Sequence, residues 1–224
     1  MRQSRLMFPG AGLVLLGLLL AGCSGLKSAA PPEQRYVLRM PVVAQGASAG
    51  PVSRVEATLQ LLPPTAEPGL DTARIALTQP GNRLDYYAGG RWSGSLVEIT
   101  ESLLAQSLRA SGRFAQVSTD AAGMGADFVL AVTVRRFEAA YDGAGGVPTA
   151  RLQWACTLSS RREHRQIAGF EVTAAVPAQA NRLGSVVAAL EQAAQEAATQ
   201  LVEQAAGLTA AALAAEPARE APRK

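Results

Sequence analysis

Cys23 is the residue in this chain best placed to do chemistry. It ends the run Leu20-Ala21-Gly22-Cys23, where two small residues let a peptidase cut ahead of the thiol. Arg2 and Arg5 supply a positive start, and an apolar run from Leu13 to Ala21 follows. That run is shorter than the ~20 residues a membrane-spanning helix needs, so it reads as the core of a signal peptide. The sulfur of Cys23 would take a diacylglycerol, and its freed amine a further acyl chain. Each buried methylene contributes roughly 0.8 kcal/mol, and two chains already anchor stably. Residues 1–22 are therefore expected to be a lipoprotein signal peptide. Residues 23–34, with Pro31-Pro32 and no apolar periodicity, are expected to be an acylated N-terminus and tether. Ser24 follows the cysteine where an Asp would favour inner-membrane retention, so outer-membrane sorting is expected.

The other reactive side chains point to packing or turns. His164 is the only histidine and sits in the charged run Arg162-Glu163-His164-Arg165, which reads as an exposed turn. A catalytic base needs a nucleophile and an orienting group, and no Gly-x-Ser-x-Gly elbow is present. One imidazole and one thiol are too few for a transition-metal site, and no Asp-rich loop offers a calcium or magnesium site. Cys156 alternates in phase with Leu152, Trp154 and Leu158, the pattern of a buried structural thiol. Gly143, Gly145 and Gly146 precede neither a Lys-Ser/Thr pair nor a helix, so they form no phosphate loop. Neither catalytic nor metal-binding residues are assigned, and no cofactor is expected beyond the acyl groups on Cys23.

Two groups are candidates for contact. Arg135, Arg136, Arg151, Arg161, Arg162 and Arg165 lie along the later strands and could meet an anionic surface. A solvated strand face is the plainer reading of that set. Tyr86, Tyr87, Arg91 and Trp92 are residue types favoured in interfaces, and a Gly89-Gly90 bend could present the last two. Packing under the following helix is the plainer reading there.

Composition narrows the function classes. Without residues 1–22 the chain has 224 − 22 = 202 residues, and losing Arg2 and Arg5 lowers its formal charge from +3 to +1. A nearly neutral chain argues against nucleic-acid binding as the main task. Cys156 would be left as the sole free thiol, so no disulfide is expected.

The elements that would position these residues follow from periodicity. Strands are expected at Tyr36–Met40, Val55–Leu62, Ala73–Gln79 and Leu84–Ala88. Loops are expected at Gln45–Pro51 and at the Pro80-Gly81-Asn82 turn, and Gly89-Gly90-Arg91-Trp92 should break the sheet. Ser95 and Glu98 have capping-box spacing. Leu96, Ile99, Leu103, Leu104 and Leu108 make one helical stripe, closed by Gly112. Further strands are expected at Phe114–Ser118, Ala126–Glu138, Thr149–Ser160 and Arg165–Val176, with loops at Asp120–Gly125 and Asp142–Pro148. A bulge is expected at Arg135-Arg136, where the apolar phase shifts to Phe137. Asn181 should cap a last helix with Leu183, Val186, Val187, Leu190, Ala194, Ala197, Leu201 and Val202 inward, ending near Gly207. Residues 209–224 then read as a flexible tail. The expected fold is α+β in two layers: a mostly antiparallel sheet with two helices on one face, forming a single domain over residues 35–208.

Leu70-Asp71-Thr72, Arg74–Leu77, Leu84–Gly89, Arg91-Trp92 and Leu108–Phe114 together resemble the auxiliary lipoproteins of MCE-type ABC transport systems, the PqiC-like family. The resemblance implies a non-enzymatic lipoprotein on the outer membrane with its domain in the periplasm. It implies an MCE-domain protein and an ABC permease and ATPase as partners, in a system moving phospholipid or other hydrophobic molecules between membranes. This chain would dock the outer end of that machinery, and homo-oligomerisation is compatible with such a role. Two alternatives stand beside this reading. One is a direct lipid carrier whose Ala-rich last helix lifts from the sheet. The other is a structural adaptor for a different envelope machine.

Overall fold

A computed structural model of the protein describes residues 33–39, 54–119, 125–142 and 146–220, with the last five as backbone. Cys23, the signal-peptide segment, the tether as far as Pro32, the Gln45–Pro51 loop, most of the Asp120–Gly125 loop, Gly143 and Gly145 lie outside these residues, while Gln34, expected in the tether, belongs to the first strand.

Among the described residues the order is β1 (Gln34–Tyr36), β2 (Val55–Leu61), β3 (Thr65–Ala66), β4 (Arg74–Gln79), β5 (Arg83–Trp92), α1 (Leu96–Ala110), β6 (Phe114–Ser118), β7 (Phe128–Ala140), β8 (Thr149–Ser160), β9 (Arg165–Pro177) and α2 (Leu183–Glu220). The nine strands form one mixed sheet beneath two helices, so the fold is α+β. The long ladders are antiparallel: β4 with β5, β7 with β8, and β8 with β9.

The sheet is built on β7. One edge of β7 pairs with β8 along its whole length. The other edge takes three short parallel partners in turn: β2 at Phe128, β3 at Thr133 and β4 at Ala139. From β2 the sheet continues to β6, and from β4 it continues through β5 to β1. The alternation along β7 explains its central place. Phe128, Leu130, Val132 and Val134 are buried on one face, while Val129, Ala131 and Thr133 are half-buried on the other. The expected bulge is present: the register shifts between Val134 and Arg136, which restores Phe137 to the inner face opposite Leu152.

Helix α1 begins with the expected capping box. The Glu98 backbone N–H donates to Ser95 Oγ (3.3 Å), and the Ser95 backbone N–H donates to Glu98 Oε2 (2.8 Å). Gly112 follows the helix with φ +61°, a left-handed conformation that closes helices at little cost for glycine. Helix α2 packs on β8 and β9 and reaches β7 and β2. Its inward face is largely alanine: Ala193, Ala194, Ala197, Ala198, Ala205 and Ala206 are fully buried. Small side chains let the helix backbone approach the sheet closely, while Val186, Leu190 and Leu201 fill the wider gaps. Fully burying a residue such as Leu190 or Leu201 stabilises the fold by about 1.5–3 kcal/mol.

Several expectations need correction. The first strand is Gln34–Tyr36 rather than Tyr36–Met40. Beyond Tyr36 the backbone is held by a helix instead of a strand: the Arg39 N–H donates to Glu191 Oε1 (2.8 Å), and Gln195 Nε2 donates to the Arg39 carbonyl (2.8 Å). Strand β5 does not stop at Gly89-Gly90 but runs through Trp92, because β1 pairs with Gly90, Arg91 and Trp92. Gly89 takes φ +98°. At Gly90 a Cβ would lie 2.4 Å from Leu183 Cδ2 and 3.0 Å from Tyr36 Cε2, so glycine here admits close neighbours into the sheet. Asn181 does not face a helix N–H; its Oδ1 accepts from the Tyr141 hydroxyl (2.7 Å). Gly207 does not end α2, which continues to Glu220. The continuation has reasons: Ala205, Ala206 and Thr209 are buried around Gly207, and a mid-helix glycine costs only about 1 kcal/mol. The segment expected as a tail is thus helical through Glu220.

Candidate functional site

The two groups of contact residues meet different fates. Tyr86, Tyr87, Arg91 and Trp92 form no single patch. Trp92 is a core residue, 3% exposed, packed edge-to-face on Phe137 with ring centroids 5.8 Å apart. The Tyr86 hydroxyl donates to the Gly69 carbonyl (2.7 Å), and its ring lies under the Arg74 guanidinium at 3.8 Å. These contacts fasten the loop before β4 to β5. Tyr87 hydrogen-bonds Tyr141 (2.8 Å), whose hydroxyl donates onward to Asn181. Tyr141 therefore accepts from Tyr87, and the relay ties β5 to the end of β7 and the segment entering α2. Burial, reinforced by the bond to Tyr141, pushes the Tyr87 phenol well above its ordinary titration range. Arg91 faces Glu33 at 3.7 Å.

The arginines divide into two sets. Arg161, Arg162 and Arg165 lie at the β8–β9 turn, where Arg161 bonds Gln60 and Arg165 pairs with Glu163 at 2.6 Å. Arg135, Arg136 and Arg151 lie toward the other end. Ten residues of strand separate Arg151 from Arg161, or about 33 Å, so the six do not make one strip.

Arg135, Arg136 and Arg151 instead converge on a cleft of about 530 Å³ on the face of the sheet opposite α1 and α2. The end of β7 and the start of β8 line it, with the Glu67–Leu70 loop and the β4–β5 turn as walls. That turn holds Gly81 and Asn82 at φ +82° and +58°. Glu138 stands opposite Arg151 across the β7–β8 ladder. It is buried, with Oε1 3.8 Å from Arg136 Nε. Burial raises its carboxyl above the ordinary carboxylate range, and Arg136 and Arg151 only partly offset this. Sequence reading singled out the arginines but passed over Glu138, Glu67 and Tyr141. An acid between Phe137 and the Ala139-Ala140 pair, close after two arginines in the same strand, was the available signal for Glu138.

The remaining reactive residues sit as their patterns require. His164 is exposed in the β8–β9 turn with φ +51°. Cys156 is buried in the core, and desolvation with the nearby charge of Glu171 pushes its thiol up to about 12. A thiol so placed is a poor nucleophile at neutral pH. Among the described residues no group of three or more His, Cys, Asp or Glu is placed to hold a metal ion. No helix among them is long and apolar enough to cross a membrane.

A nine-stranded mixed sheet with two helices defines the class of this protein among its described residues, an α+β domain. The chain belongs to the family described as ABC-type transport auxiliary lipoprotein component, whose profile matches residues 36–202. It is similar to a solved protein from Xanthomonas campestris, with 26% identity, a TM-score of 0.70 and coverage of 78% of this chain and 95% of that one. Its fold is also similar to that of a hypothetical protein from Chlamydia trachomatis: 12% identity, a TM-score of 0.51, and coverage of 70% and 99%. No curated protein matches the chain.

Proposed function

We propose that this protein is acylated on Cys23, resides on the outer membrane with its domain in the periplasm, and docks the outer end of an MCE-type ABC transport system. The observation that carries the proposal is the family match across residues 36–202, preceded by the lipobox Leu20–Cys23. In this reading the ABC ATPase of the partner complex supplies the energy, the MCE protein provides the passage, and this domain holds the assembly to the membrane. The alanine interface under α2 is fully buried, which favours a fixed docking domain over a carrier whose helix lifts to admit an acyl chain.

The test is affinity purification of the full-length acylated protein from gently crosslinked envelopes, followed by mass spectrometry. A Cys23→Ala variant serves as the control for anchoring. The expected result is recovery of an MCE protein with its permease and ATPase, incorporation of labelled palmitate into the parent chain, and loss of both membrane attachment and label in the variant. Recovery of a different envelope machine with no MCE component would overturn the docking role.

A further inference from the structure

We propose that the Arg135–Arg136–Arg151 cleft binds a singly charged phosphate group, either as the ester of a lipid headgroup or as free phosphate. Three observations meet there. The first is the bulge. Regular alternation would turn one of Arg135 and Arg136 toward the core, but the register shift leaves both exposed on the face opposite α1 and α2. Bulges re-aim side chains in this way beside binding sites.

The second is the looseness of the resting contacts. Arg135 Nη1 is 3.7 Å from Glu171 Oε1, and Arg136 Nε is 3.8 Å from Glu138 Oε1. Both exceed the ~2.7–2.9 Å of a charge-assisted hydrogen bond. Arg151 does bond Asp142 at 2.8 Å, but both side chains are more than a third exposed, and exposed pairs of this kind yield readily. Guanidinium donors therefore remain for a planar, two-point grip on phosphate oxygens.

The third is the shape and lining. A volume of about 530 Å³ is that of a small-ligand site. Glu67 and Asp142 on its walls would repel a polyanion or an acidic peptide but tolerate one negative charge, and would sit favourably beside an adjoining ammonium. Leu84, a large apolar side chain left 38% exposed, also lines the cleft, where the apolar part of an amphiphile could rest. The assignment deepens the docking proposal and rests on it only for the choice of a lipid as the source of the phosphate.

The experiment is calorimetric titration of the full-length acylated protein in a phosphate-free maltoside detergent at pH 6, where inorganic phosphate is mainly the singly charged dihydrogen anion. Glycerophosphoethanolamine represents the headgroup and inorganic phosphate the free anion, each also titrated into Arg135→Gln/Arg151→Gln. Arg136 is kept because it faces buried Glu138. Saturable binding weakened at least tenfold in this variant, but unchanged in Arg161→Gln/Arg165→Gln, supports the site. Tighter binding of the ester assigns the site to headgroups, and tighter binding of inorganic phosphate assigns it to the free anion. If the glutamine variant unfolds, Arg135→Lys/Arg151→Lys replaces it: charge is kept, the fork is lost, and weakening is still expected. The site is overturned if neither probe saturates, if the control pair weakens binding equally, or if only an Asp/Glu-rich peptide binds. Binding without crosslinks to transport partners would instead overturn the docking role and leave the site standing.

Discussion

The two faces of the sheet follow opposite rules although the same strands make both. On the helix-covered face β8 presents Leu152, Trp154, Cys156 and Leu158, all buried. On the bare face the intervening residues are Arg151, Gln153, Ala155, Thr157 and Ser159, each half-buried. The covered face is apolar and closely packed, so it carries most of the stability. The bare face holds paired charges, a cleft and one buried acid, arrangements that add little stability and leave groups available to a ligand. Residues two apart share a face and neighbours do not, so single substitutions along one strand can test the contrast directly.

The largest separation is expected between Leu130→Ala and Thr157→Ala. Leu130 is fully buried on the inner face of β7. Its truncation leaves a cavity in a close-packed core, and a loss of about 2–5 kcal/mol is expected. Thr157 lies on the bare face of β8 beside Ala131 and Gly169, and its change to alanine should cost no more than about 1 kcal/mol. Urea unfolding of both variants measures the contrast. Equal losses would mean that the bare face is packed in a way the cleft and its exposed rim do not indicate.

The second contrast is alkaline. Cys156 titrates at about 12 in the folded protein against 9.0 for an ordinary thiol. The folded state therefore holds this proton more tightly than the unfolded chain does. The associated stability is complete below pH 9 and is lost as pH rises toward 12, at about 1.4 kcal/mol per pH unit. Tyr87, also raised, contributes in the same direction higher in that range. Urea melts at pH 8 and pH 10.5 should show a steeper alkaline loss for the parent than for Cys156→Ala. Parallel losses would place the thiol in contact with water.

Inner-face features were legible in the sequence because they are local and periodic. Alternation gave β8 and β6 their exact bounds, the phase change at Phe137 gave the bulge, and Ser95 with Glu98 gave the start of α1. Features decided by distant partners were not legible. Gly89-Gly90 has the local form of a break, yet β1, far away in sequence, pairs there and carries β5 onward. Gly207 has the form of a stop, yet buried neighbours on both sides hold the helix together. Packing was the plainer sequence reading of Trp92, but its partner Phe137 is named only by the fold. The alternative that gathered the six arginines into one strip fails because sequence order does not display the length of β8 between them. The cleft needed two loops and two strands to meet, and periodicity carries no information about that meeting.

The smallest expected effect tests the bare face most closely. Glu138 is buried beside Arg136 and Arg151, and desolvation outweighs both, so its carboxyl titrates above the ordinary 4.5. The native state therefore binds this proton more tightly than the unfolded chain. Its contribution to stability is full below the ordinary carboxylate range and is lost as pH rises through the folded value. At neutral pH the ionised side chain is held against its preference. Glu138→Gln, which keeps the shape and removes the charge, should raise stability slightly at pH 7–8 by urea unfolding, with the gain fading near pH 4. Destabilisation of the variant at neutral pH would mean that the two arginines favour the carboxylate more than burial disfavours it. In that case these guanidiniums would be committed to Glu138, and the bare face would be a second structural core instead of a surface kept open.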